Sequence, residues 1–220
     1  MKKIAQNQKL AIIGMDCFVN NSPTLNQFER LIYETKQNIV ISHDSWPIPT
    51  IIYSALENAK IKPETKLGLI IISPTENSAK LANYVSCELA FFAEEKSILS
   101  ALDVSQNLLN TKQVEAVLIV GIDNNYPIES NIDVPTFSYD QNAKGIIKTS
   151  GAAAVVLQLH ETAQQQNHCI YAVIDSFSVT KHSPNHPETI SQVCQKAFQK
   201  ADIQAADIGY LEVVASGIPD

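Results

Sequence analysis

The stretch Phe91–Leu102, FFAEEKSILSAL, places two carboxylates, Glu94 and Glu95, and the ammonium of Lys96 at the head of an amphipathic run. Carboxylates in that position meet the positive end of a helix dipole, so the plainest reading is a solvated helix start. Four cysteines, Cys17, Cys87, Cys169 and Cys194, supply thiols but are scattered, with no C-x-x-C pair. That pattern fits neither a disulfide framework nor a zinc site, and most read as reduced thiols packed like small hydrophobes. His182 and His186 have the i, i+4 spacing of a helical metal pair, yet the segment HSPNHPE holds two prolines that disfavour a helix. No metal or cofactor is expected.

The elements that would position these groups alternate between strand and helix. KLAIIG (Lys9 to Gly14), LGLIIIS (Leu67 to Ser73) and AVLIVG (Ala116 to Gly121) read as buried strands. A helix from Leu25 follows Thr24 as N-cap, with Leu25, Phe28, Leu31 and Ile32 at helical spacing. A second follows Pro47, carrying Ile51, Ala55, Leu56 and Ala59 and stopping before Pro63, and AKLANYVSCELA reads as a third. The next spans roughly Glu94 to Leu109, expected to pack through Ile98, Leu99, Leu102 and Leu108. Residues 122–144 lack a clear period and read as a long loop. AAAVVLQL and CIYAVIDSFSV, separated by HETAQQQNH, read as an antiparallel strand pair, followed by a helix with Ile190, Val193, Ala197 and Phe198 and the strand YLEVVAS. Such alternation predicts an α/β domain with a sheet covered on both faces.

The 220 residues suffice for a substantial core. A net charge of −7 argues against a nucleic-acid partner, because phosphate recognition needs a basic face. Met1-Lys2-Lys3 leads into the polar Gln6-Asn7-Gln8 without a signal-peptide core, and the apolar runs are strand-sized. A cytoplasmic protein with no membrane span is expected.

The order of elements and several short motifs resemble the β-ketoacyl synthases, the condensing enzymes of fatty-acid and polyketide synthesis. LAIIGMDCF is similar to the family's opening I-A-I-V-G-M-x-C-R-F, and LNQFERLI to the helix after it. ALENAKIKPETKLGLIIIS resembles A-L-E-D-A-G-I-x-P leading into G-V-F-V-G, and LANYVSCELA resembles the A-N-R-I-S-Y helix. VEAVLIVGID is similar to C-D-A-A-L-V-G-G-V, and KGIIKTSGAAAVVLQLHETA to D-G-F-V-x-G-E-G-A-G-V-V-V-L-K. IYAVIDSFSVT resembles I-Y-A-V-I-R-G-S-A-V, and YLEVVASGIPD resembles Y-V-E-A-H-G-T-G-T-P. The resemblance implies a thiolase-like fold, first half plus the opening of the second half, as a mixed sheet covered by helices. It also implies one domain over residues 1–220, part of a longer polypeptide that would carry an acyltransferase domain after Asp220.

The family's nucleophile is a cysteine at a helix N-terminus, in T-A-C-S-S-S-L, assisted by histidines. Counting back without gaps from Glu115 places that position at Glu95, while Cys87 would need an eight-residue insertion. The histidine of E-A-H-G-T-G-T falls on Val214, and the G-E-G-A turn keeps Gly151 and Ala152 but loses its glutamate. A carboxylate cannot carry a thioester and valine transfers no proton, so the resemblance implies a chain without condensing chemistry. It is similar to the degenerate ketosynthase-like region of the acyltransferase subunit in bacterial polyunsaturated fatty-acid and heterocyst-glycolipid-type synthases. Acyl carrier protein and other synthase subunits are the implied partners, with a homo- or heterodimer paired through the strand before Glu95. A malonyl-carrier decarboxylase and a chain-length-factor-like subunit are the alternatives.

Overall fold

The computed structural model describes residues 8–19, 22, 24–34, 47–73, 81–93, 98–123, 151–180 and 187–212. In chain order these form β1 (Leu10–Val19), α1 (Leu25–Glu34), α2 (Ile48–Asn58), β2 (Leu67–Ile72), a 3-10 turn at Ala82–Tyr84 and β3 (Leu89–Ala93). There follow α3 (Ile98–Asn110), β4 (Ala116–Asp123), β5 (Gly151–Leu159), α4 (His160–Gln165), β6 (Ala172–Ile174), α5 (Pro187–Ala201) and a 3-10 turn at Ala205–Asp207.

The strands make one mixed sheet in the order β3-β2-β4-β5-β1-β6. β2 runs parallel to both β3 and β4, whereas β5, β1 and β6 are joined antiparallel. The four strands expected from apolar runs thus share one sheet. Continuous runs arise because both faces are covered: all six residues of β2 are buried. Leu67, Leu69 and Ile71 join Ile51, Ile52 and Ala55 of α2 in one cluster, while Ile70 and Ile72 join Ala101, Leu102, Leu108 and Leu109 of α3 in the other. Each fully buried isoleucine contributes roughly 1.5–3 kcal/mol relative to exposure. Helix α2 comes close to the sheet where β1 bulges between Ile12 and Gly14. Asn58 Oδ1 accepts the Met15 N–H at 3.1 Å there, and Asn58 Nδ2 donates to the Tyr171 hydroxyl at 2.8 Å, tying α2 to both sides of the bulge.

Helices α1 and α2 and the helix with Ile190 lie where their periodicity placed them, and Thr24 Oγ1 accepts the Gln27 N–H at 3.4 Å as the expected cap. Other expectations are corrected. Over its described residues AKLANYVSCELA is not one helix, its first two residues, Ala79 and Lys80, lying outside them: Leu81 is helical, Ala82–Tyr84 form a 3-10 turn, and Leu89–Ala93 form β3, because the open edge of β2 offers a ladder that outweighs weak helical preference. The residues expected to turn between two strands form α4 instead. Of CIYAVIDSFSV only Ala172–Ile174 are strand, and they pair with β1 rather than with β5, whose edges β4 and β1 occupy. In α3, Leu102 and Leu108 are buried as expected, but Ile98 and Leu99 are 50% and 37% exposed. β1 extends to Val19 and β4 to Asp123, so Ile122 and Asp123 are not loop. The described part of YLEVVAS, Tyr210 to Glu212, is not in a strand. Among the described residues no helix is long and apolar enough to cross a membrane.

Candidate functional site

In open α/β sheets the crevice beyond the carboxyl ends of parallel strands is where ligands collect. Here the strands β2 and β4 end at Ile72 and at Gly121–Asp123, the antiparallel β5 begins at Gly151–Ala153, β1 ends at Val19, and α3 begins at Ile98. These residues enclose an open cleft of about 380 Å³. Small residues make the room: a Cβ built on Gly121 would meet nothing within 4 Å, whereas one on Gly151 would lie 3.2 Å from Val19 Cγ2. Apart from the Asp123 carboxylate, the described lining is apolar. Such a surface can hold a hydrocarbon chain; among its described residues it offers no thiol and no imidazole.

Gly151 and Ala152, two positions of the glycine-rich turn picked out in the sequence, line the cleft. Glu95 and Val214 lie outside the described residues, as do Glu94, Lys96, His182 and His186. Ile98, three residues after Glu95 in the chain, is on the wall. Cys87 is not. It sits between the 3-10 turn and β3, half-buried against the α2-side core. Burial, and then the Glu88 carboxylate, push its thiol above the ordinary value, which keeps it protonated and weakly nucleophilic at neutral pH. Cys17 is buried in β1, and desolvation followed by the Asp16 charge pushes its thiol up to about 11. Cys169 and Cys194 are exposed. Asp123 was missed in the sequence because it stands at the join between an apolar strand and a polar stretch, where no period marks a site.

No family model and no curated protein matches the sequence. Solved structures do match its fold. An oxazolomycin ketosynthase domain of Streptomyces albus superposes with a TM-score of 0.74 at 20% identity, over 96% of this chain and 65% of that one. The ketosynthase from module 1 of the bacillaene synthase of Bacillus amyloliquefaciens gives 0.78 at 16% identity, over 98% of this chain and 55% of that one. A type II polyketide ketosynthase in complex with its acyl-carrier protein and bound to the hexaketide gives 0.75 at 12% identity, over 97% and 74%. The fold is the thiolase-like α/β fold of these domains. The chain spans less than two thirds of the length of the first two.

Proposed function

We propose that this chain is a non-catalytic ketosynthase-like module of a fatty-acid or polyketide synthase, one that docks acyl carrier protein and neighbouring synthase parts. The observation that carries the reading is the chemistry of the cleft at the carboxyl ends of β2 and β4. Its described walls are apolar except for Asp123, and the nearest half-buried thiol in sequence, Cys87, stands elsewhere with its ionisation suppressed. The counted positions of the resembling motif agree: Glu95 replaces the nucleophile and Val214 the first histidine. Such a site can shelter an acyl chain, and among its described residues there is no thiol to accept it as a thioester.

Within this reading, the chain would correspond to the degenerate region beside the acyltransferase domain of polyunsaturated fatty-acid-type synthases. Two surfaces would make its contacts. The edge strand β3 carries Phe91 and Phe92, 38% and 45% exposed, and lacks the charged or proline residues that protect an edge, so it can pair with a second copy. Beyond α5, Tyr210 and Leu211 are 78% and 74% exposed although their sequence reads as strand, so they suit further polypeptide of the same assembly.

The test incubates the purified chain with malonyl- and acyl-loaded carrier protein. Binding without condensation, without decarboxylation and without an acyl adduct on any cysteine is the expected result. A stable acyl adduct on Cys87, or release of carbon dioxide from the malonyl thioester, overturns it.

A further inference from the structure

The opposite end of the sheet, where β2 and β4 begin, holds a second cavity of about 530 Å³. That is far more than one water molecule fills and lies within the range of small-ligand sites. Its walls come from the turn after α2 (Lys60 to Thr65), from Glu115, from Gln158 near the end of β5, and from Gln166 to His168 after α4.

Gln158 is the unexpected member. On its face of β5 the preceding residues are Ala152, Ala154 and Val156, all in the apolar core, yet Gln158 is itself 1% exposed. Its Nε2 donates to Gln166 Oε1 at 2.9 Å, and His168 Nε2 lies 3.0 Å from that same oxygen. One acceptor is thus approached twice, while Gln158 Oε1 is buried with no hydrogen-bond partner. A buried acceptor without a donor is costly, and a network one donor short invites a ligand that supplies it. Rotation about the broad terminal torsion of the glutamine turns this oxygen toward the cavity in exchange for the Nε2 bond to Gln166 Oε1, which keeps His168 Nε2 beside it. The ionised side chains of the wall balance, with Lys60 and Lys62 set against Glu64 and Glu115. A net anion or cation gains from only one pair; a molecule carrying both poles gains from both.

We propose that this cavity binds a small zwitterion of the free amino-acid class, its ammonium group donating to Gln158 Oε1 and its carboxylate facing Lys60 and Lys62. The site is separate from the apolar cleft, and its occupancy does not depend on acyl chemistry.

An amide-resolved NMR titration of the whole chain with glycine, L-alanine and L-glutamine tests this, following the Gln158 side-chain amide and the Asn167 and His168 backbone signals. At least one amino acid should give saturable shifts confined to the cavity wall. Glycine betaine has the same charges but no N–H and should give none. Gln158→Leu should weaken binding roughly tenfold, the worth of one charge-assisted hydrogen bond. The comparison of glycine with its betaine uses the native protein and decides the matter even where that variant fails to fold. Absence of saturable shifts with all three amino acids, equal binding of the betaine, or unchanged affinity in a folded Gln158→Leu protein overturns the proposal.

Discussion

Substituting Gly14 with alanine tests the packing of α2 on β1 directly. A Cβ at Gly14 would lie 2.4 Å from Ala55 O, 2.5 Å from Ala59 Cβ and 2.7 Å from Ala59 N. Non-bonded carbon contacts are comfortable at about 3.5–4.0 Å, so helix and strand must part by about 1 Å. Nothing at the clash is the free end of a flexible side chain, and the movement would loosen Ile51, Ile52, Ala55 and Ala59, all buried. Overpacking costs about 1–3 kcal/mol, and a clash with backbone belongs at the upper end. Against this, alanine narrows the unfolded ensemble by about 0.4–1 kcal/mol. A net loss of about 2 kcal/mol follows, or roughly 4–8 °C in Tm for a chain of this size. The assay is urea unfolding followed by circular dichroism at constant m, with Gly121→Ala as control because its Cβ meets nothing within 4 Å. Gly121→Ala should be neutral or slightly stabilising. Equal midpoints for the two variants would refute the close-approach argument.

The Cys17 thiol ionises more readily in the unfolded chain than in the fold, so stability should fall from about pH 9 toward pH 11, by up to roughly 2–3 kcal/mol. Cys17→Ala should flatten that slope in denaturation measured across the window. Iodoacetamide at neutral pH should label Cys169 and Cys194 in the native protein and reach Cys17 only on unfolding, as peptide mass mapping will show. Phe92→Lys on the edge of β3 should turn a dimer into a monomer in sedimentation velocity; a wild-type monomer removes that part of the reading. Glu95→Gln should cost about 1–3 kcal/mol if its carboxylate is buried and hydrogen-bonded at the head of α3. An unchanged unfolding midpoint makes it a surface residue.

The central strands were legible because burial on both faces leaves no polar residue in runs such as LGLIII and AVLIVG. Helix α2 was legible through Pro47 at its start and the spacing of Ile51, Ala55 and Ala59. Leu89–Ala93 was not, since leucine, alanine and phenylalanine serve helix and strand alike and the vacant edge of β2 decided between them. The short extent of β6 was equally hidden, because a strand lasts only as long as its partner and β1 meets it at three positions. At the site, resemblance pointed to Gly151 and Ala152, which do line the cleft. The other walls come from separate strands and share no local spacing, so they surface only once the sheet is assembled. Gln158 carried a signal that passed unread: a lone amide inside AAAVVLQL.

The place of β1 between β5 and β6 has a consequence during synthesis. Leu10 pairs with Leu159 and with Ile174, so the first made of the described strands is among the last to find its neighbours. At roughly 5–20 residues per second, a ribosome needs on the order of 10–30 s to deliver them. For that interval LAIIG emerges with both edges unpaired and both faces apolar, able to collapse onto α2 but not to join a sheet. Refolding from denaturant should therefore be slow for a chain of this size, limited by closure of the long loop that brings Leu10 to Leu159 and Ile174.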